Sequence, residues 1–343
     1  MRTSKYLQFT TCLFIIVAIV DLSLGQQAFK PAHTLRNHDV RIIHQQGNSP
    51  TDLKKELDSI AGKFHGKLGY SFRHLKAGDR LERLGDERFP TASTIKLAML
   101  CTVMEMQQKG EVGYYDRRLL EKQDIEGGTG FMKYYREGTK PTLKELLHLM
   151  ITTSDNVATN IIGRWIGMKS VNVWLDRNGF KETRLLVPWP EVKAGLEKDD
   201  ELRKQVERWG MGVTTPNEMA KLLEMINDHR AGTSAACDEM QRILSHQYFD
   251  EGIASQIPPS VVVASKSGIQ KYSRSDLALV HSPSGDYILT IYTNDGQDIR
   301  VSWDNEHAQA IRAISRAVWR HYHPNSQWSP PAGTEKFSEG PDW

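Results

Sequence analysis

Apolar positions fall into two rhythms along this chain. Within residues 50–61, Leu53, Leu57 and Ile60 recur at helical spacing and predict a first helix. Residues 67–75 and 80–84 predict the two strands of a hairpin that turns around Ala77-Gly78-Asp79. A largely apolar helix opens near Ser93 and runs to Lys109, where Gly110 stops it. Thr142-Leu143-Lys144-Glu145 has the form of a capping box and starts a helix that ends near Thr153. Helices follow over 157–168, over 169–177 with Gly179 as the stop, and over 216–227. Strand patterns then return over 261–267, 276–280 and 287–293, with Pro283-Ser284-Gly285 as a turn. A long helix over 304–322 closes the pattern.

Strands near both ends with helices between them predict an α/β (α+β) fold. The N- and C-terminal segments build one antiparallel sheet flanked by helices, and residues 92–235 form an all-helical lobe. No repeat of fixed period is visible.

Outside this region the rhythm lapses. Residues 1–25 begin with the basic Arg2 and Lys5, continue through an apolar run over 13–20 and end in Leu22-Ser23-Leu24-Gly25. That layout is a secretory signal cut near Gly25, so a periplasmic or secreted location is expected. The apolar run is too short to span a bilayer comfortably, and no stable membrane insertion is expected. Residues 26–49 read as a linker, where the spacing of His33, His38 and His44 matches no standard metal-ligand pattern. Residues 324–343 combine Pro, Gly and charge with little apolar content and read as a disordered tail. Residues 50–323 remain as one domain.

Charge changes the picture by exclusion. With 44 basic and 42 acidic side chains the net charge is +2, which gives no basis for nucleic-acid binding. Cys12 leaves with the signal, and Cys101 and Cys237 alone make no disulfide framework. Cys101 reads as a small buried hydrophobe. No metal site and no cofactor are implied, and a monomer is expected.

One stretch carries chemistry. In "FPTASTIKLAML", residues 89–100, Ser93 and Lys96 interrupt an apolar helix on one side. Residues three apart share a helix face, so the pair can meet at the helix start. A lysine in a low-dielectric setting loses pKa readily and can act as a base toward a hydroxyl. The N–H groups of a helix start favour a developing oxyanion. Ser-x-x-Lys alone is weak evidence, since roughly one chance match is expected in a chain of this length at ordinary Ser and Lys frequencies. Its bland alternative is a capping serine and a snorkelling lysine. Two further tripeptides alter the odds. Ser154-Asp155-Asn156 sits at a break between helices, and Lys266-Ser267-Gly268 ends the apolar strand "VVVASKSG". Each has an ordinary reading by itself, as a helix cap or a strand-end charge.

The three motifs in this order resemble the class A β-lactamase and penicillin-binding serine acyltransferase family. "RFPTASTIK", "LLHLMITTSDNVATNII", "NGFKETRL", "PPSVVVASKSG" and "SGDYILTIYTNDG" extend the likeness over residues 50–322. The resemblance implies a β-lactamase/transpeptidase-like fold and a Ser93 nucleophile that becomes acylated. Lys96 would help deprotonate Ser93, and Ser154 would relay a proton to the leaving nitrogen. Asn156 would hold the substrate's acylamino group. Lys266, Ser267 and Arg274 would bind its carboxylate, and the N–H groups of Ser93 and Ile269 would form the oxyanion hole. Asn160 would tie down the next loop. The implied partner is a small β-lactam or D-alanyl peptide-like molecule.

The pattern departs from the family after Thr183-Arg184-Leu185. Aligned without a gap, Trp189 stands where the family has the glutamate that positions the hydrolytic water. Lys193 stands where that loop usually has an asparagine, and the segment before Thr215-Pro216 is about ten residues longer than usual. Glu191 is taken as the base, with Glu197 and Asp199 as alternative carboxylates. The leading expectation is a serine hydrolase that opens β-lactam amides. A D-alanyl carboxypeptidase-like or other amide or ester hydrolase is the alternative, and a slowly deacylating lactam binder is a third reading from a different class. No Gly-x-Ser-x-Gly, His-Glu-x-x-His or Cys-x-x-Cys occurs.

Overall fold

The computed structural model describes residues 49–125, 128–186, 199–302 and 304–332. The chain begins with α1 (Pro50–Gly62), then β1 (Lys67–His74), β2 (Arg80–Arg83) and β3 (Phe89–Pro90). A 3₁₀ turn, Ala92–Ile95, leads into α2 (Lys96–Gln108). Next come α3 (Leu143–Thr152), α4 (Asn156–Ile166), α5 (Met168–Arg177) and β4 (Arg184–Leu185). After them stand α6 (Asp200–Trp209), β5 (Gly212–Thr214), α7 (Pro216–Asn227) and α8 (Ser234–Leu244). The chain returns to the sheet with β6 (Val263–Gln270), β7 (Ser273–Val280) and β8 (Tyr287–Asn294), and α9 (Glu306–Tyr322) follows.

The first two strands and the last three form one antiparallel sheet in the order β2-β1-β8-β7-β6. Alternation of side chains gives each strand two faces. On one face Tyr70, Phe72, Ala278, Leu289 and Ile291 pack against Leu53 and Leu57 of α1 and Ile314 and Val318 of α9. On the other, Leu277, Leu279, Ile288 and Tyr292 join a larger core filled by α2, α3, α4, α5, α7 and α8. The sheet is thus sandwiched between helices, as the mixed pattern predicts. β3, β4 and β5 form a separate three-stranded sheet in the order β3-β5-β4.

Caps explain several boundaries. Ser49 and Asp52 bond reciprocally at the start of α1. Thr142 Oγ1 accepts from Glu145 N at 3.2 Å while Glu145 Oε2 accepts from Thr142 N at 2.6 Å, the predicted capping box. Gly179, at φ +70°, ends α5 where an L side chain would be strained.

Three differences from the sequence expectation bear on function. The helix near Ser93 opens with a 3₁₀ turn, so Lys96 is its first α-helical residue. β6 runs past Ser267 to Gln270, because pairing with β7 continues through Gly268↔Ser275 and Gln270↔Ser273. Two helices were not anticipated. α6 is mostly charged, with Leu202, Val206 and Trp209 as its thin apolar stripe, and α8 buries Cys237, Met240 and Leu244 behind a Thr233 cap. Cys101 and Cys237 are both buried and free. Of the expected tail, residues 324–332 are described, and there Ser326 Oγ accepts from Trp319 Nε1 of α9 at 3.4 Å. No described helix is long and apolar enough to cross a membrane.

Candidate active site

Ser93 lies in the 3₁₀ turn, half-buried, between Ala92 and Thr94. Ala92 holds φ +45°, a left-handed value that costs an L residue of order 1–3 kcal/mol. The turn is braced from the sheet. Ser275 Oγ on β7 donates to the Thr91 carbonyl at 3.1 Å, and Thr94 Oγ1 lies 3.0 Å from Tyr292 Oη on β8. Gly268 lets β6 come close. A Cβ there would lie 2.8 Å from Thr91 O and 3.0 Å from Ala92 Cβ. The third motif therefore packs directly on the turn that carries Ser93.

Lys96 is wholly buried beneath this turn. Its Nζ donates to Ser154 O at 2.7 Å, to Asn156 Oδ1 at 2.7 Å and to Ser154 Oγ at 3.2 Å. Helical spacing led to the expectation of contact with Ser93. Instead the ammonium points to the second motif, and no hydrogen bond to Ser93 is made. The physical reason is that Ser154 and Asn156 offer three oxygens to three N–H donors in a fully buried site. Burial drives the Lys96 pKa well below its ordinary value, the Lys266 charge adds to that, and Asp155 opposes it.

The second motif owes its shape to its middle residue. Asp155 caps α4, accepting from Ala158 N at 2.9 Å, and its other oxygen accepts from Met132 N at 2.8 Å. Ser154 sits at φ +53° in the break between α3 and α4. The segment 128–132 folds over it, with Asn156 N donating to Thr129 O at 3.0 Å and Thr129 Oγ1 to Ser154 O at 2.9 Å. Gly128 and Gly130 permit this. Their Cβ atoms would lie 2.0 Å from Asn156 Nδ2 and 2.3 Å from Asp155 Oδ2. Sequence reasoning missed Asp155 as an organiser and Thr129 as its neighbour. The dense glycines around Thr129 were the available signal.

Lys266 is also wholly buried, on the edge strand β6, and donates to Ser267 O at 2.8 Å. Burial pushes its pKa down to about 7, against the opposing pull of Asp276. Ser267 and Ile269 alternate with it and share the face of Arg274, which pairs with Ile269. The Arg274 guanidinium donates to the carbonyls of Gln270 and Arg300, both at 3.0 Å. Burial lowers its pKa to about 10, with Asp298 opposing. Asn160 Nδ2 donates to Asp124 O at 3.0 Å, and its buried Oδ1 has no partner among the described residues.

The structure thus brings Ser93, Lys96, Ser154, Asn156, Lys266, Ser267 and Ile269 to one region, with Arg274 turned toward the 297–302 segment. Glu191 lies outside the described residues, as do Trp189, Lys193 and Glu197. Asp199 is the N-cap of α6, accepting from Leu202 N at 2.9 Å. No cluster of three or more His, Cys, Asp or Glu side chains able to hold a metal occurs among the described residues.

Comparison with known proteins adds context to this geometry. A family model described as "Beta-lactamase enzyme family" matches residues 52–322. The chain is 22% identical to the β-lactamase VEB-1 of Pseudomonas aeruginosa, over 80% of this chain and 92% of that protein. It is 26% identical to a β-lactamase of Bacillus licheniformis, over 79% and 85%. Among solved structures, a β-lactamase from Sphaerobacter thermophilus superposes with TM-score 0.68 at 22% identity, over 81% of this chain and 99% of that one. A penicillin-G acyl-enzyme complex of a PBP-A mutant superposes with TM-score 0.70 at 23% identity, over 80% and 97%.

Proposed function

The chain belongs to the β-lactamase enzyme family, and from that premise we propose that it opens the amide bond of β-lactams through an acyl-enzyme on Ser93. The observation that carries this reading is the buried Lys96, bonded to Ser154 and Asn156 beneath the turn that presents Ser93. In its neutral form Lys96 accepts the Ser93 Oγ proton as Oγ attacks the lactam carbonyl carbon. Charge that develops on the carbonyl oxygen meets the N–H groups of Ser93 and Ile269, at a helix start and on an edge strand. The C–N bond breaks as Ser154 Oγ gives its proton to the leaving nitrogen, and the proton taken by Lys96 replaces it along their hydrogen bond. Lys266, Ser267 and Arg274 hold the substrate carboxylate, and Asn156 holds the acylamino group. Water then attacks the ester carbonyl, with Glu191 as the proposed acceptor of its proton. Side chains and backbone suffice for every step.

Intact-mass spectrometry after mixing with benzylpenicillin tests the reading. A transient adduct in the wild type and none in a folded Ser93→Ala variant are expected. An adduct that survives Ser93→Ala would remove Ser93 from the role of nucleophile. The ungapped match of Trp189 to the family's glutamate favours a second reading, in which acylation is followed by slow release. A wild-type adduct that persists for hours would select it. The basic, apolar and small-residue order of residues 1–25 supports action in the periplasm or outside the cell.

A further inference from the structure

We propose that Asp276 is a positioning residue for the reaction: from the β7 strand it supplies the counter-charge that keeps the buried Lys266 an ammonium able to anchor a substrate carboxylate. This inference rests on the β-lactam reading above for its consequence, though not for its physical basis.

The geometry is that of two isolated charges on neighbouring register positions. Lys266 stands opposite Leu277, and Ser267 stands opposite Asp276. Lys266 is fully buried and Asp276 only 5% exposed. Among the described residues, Lys266 makes no ion pair and donates to a backbone carbonyl. Asp276 also has no ion pair, and its Oδ2 accepts from Ile253 N at 2.7 Å. A Cβ on Gly252 would lie 2.0 Å from that oxygen, so the 252–253 backbone closes over the carboxyl. Each buried charge therefore has the other as its compensating neighbour, across one strand pair. An uncompensated buried charge of either sign is costly, and the usual response is neutralisation.

The surroundings agree. Lys96 faces Lys266 from α2 as a like charge, with Asp155 acting on Lys96 from the start of α4. Asp276 opposes the loss of the Lys266 proton, and Lys266 reciprocally favours the Asp276 carboxylate. Asp250 raises the Asp276 pKa, Tyr292 feels its charge from β8, and Glu251 is pushed up to about 7 mainly by burial, with Arg312 of α9 opposing. Burial brings Lys266 down to about 7 and Asp276 up to about 7. Such a pair titrates as a unit. As pH rises the ammonium is lost, and with it the anchor for a carboxylate.

Asp276→Asn tests the idea, since Asn retains an oxygen for Ile253 N. Lysine Cε-labelled protein would be titrated by ¹³C NMR, the Lys266 signal assigned by its loss in Lys266→Met. The expected result is a fall of about one pH unit in the Lys266 titration. KM for benzylpenicillin at neutral pH should rise about tenfold while kcat changes little, and the difference should shrink at lower pH. If Asp276→Asn fails to fold, the reciprocal measurement stands in: the Asp276 carboxyl, observed by ¹³C, should titrate higher in Lys266→Met than in the wild type. An unmoved Lys266 titration in folded Asp276→Asn, or an unmoved Asp276 titration in Lys266→Met, overturns the proposal. Both titrations read without turnover. A wild type that never reacts with penicillin would therefore refute the β-lactam reading while leaving the charge pairing measurable.

Discussion

Gly268→Ala isolates the contact between the edge strand and the turn that carries Ser93. The new Cβ would lie 2.5 Å from Ser275 Oγ, 2.8 Å from Thr91 O and 3.0 Å from Ala92 Cβ. The hydroxyl can rotate away, but the other two atoms belong to the frame of the turn. Ordinary van der Waals separation from Thr91 O requires β6 and the turn to part by about 0.6 Å. Ser93 and Ile269, whose N–H groups are the proposed oxyanion donors, sit on the two sides of this contact, so that movement opens the hole. A misplacement of ~1 Å costs on the order of 10²-fold in rate, so acylation should fall by roughly ten- to a hundredfold. Overpacking should also cost about 1–3 kcal/mol of stability. Stopped-flow acylation with a chromogenic cephalosporin and thermal unfolding measure the two effects separately. Adding Ser275→Ala removes the contact with the hydroxyl but leaves the one with the Thr91 carbonyl. The double variant should regain part of the stability while acylation stays low. Acylation of Gly268→Ala within about threefold of wild type, or full recovery of rate in the double variant, would refute the reasoning.

Lys96→Ala should reduce acylation by ~10²–10⁴, because an unassisted serine hydroxyl is a poor nucleophile, and a rate within about tenfold of wild type would reduce Lys96 to a packing role. The pH profile follows from the same lysine: it must be neutral to take the Ser93 proton, so acylation is lost as pH falls through its depressed pKa. Lys266→Ala removes a repelling cation, which raises the Lys96 pKa, and the acid limb of acylation should move to higher pH; a limb that stays in place would separate the two lysines electrostatically. Glu191→Gln should leave acylation intact and prolong the adduct, because Gln cannot accept the water's proton; an unchanged lifetime there with a long one in Glu197→Gln would move the role to Glu197.

Much of the fold was legible in short stretches of sequence, because the forces that start and stop helices act over a few residues. Thr142 and Glu145 lie within one turn of each other, and the helix they cap begins where the motif says. Residues 216–227 form a helix to the residue, between Pro216 in its first turn and Asp228 beyond it. The strands were visible through their apolar alternation, and the three catalytic motifs through their order. α6 escaped because its apolar stripe is thin and only Trp209 is fully buried.

What the sequence by itself determined is which residue types stand in which local elements. Their meeting was decided by tertiary structure alone. Lys96 reaches Ser154 and Asn156 from nearly sixty residues away, and helical spacing within its own turn misdirected the expectation toward Ser93. Gly268 touches Thr91 only because β6 packs against a turn from the other half of the chain. The depressed pKa values of Lys96 and Lys266 arise from burial that no residue brings alone. Local propensity is set by bonds within a few residues, whereas proximity and dielectric are properties of the packed interior, and the chemistry of this site depends on both.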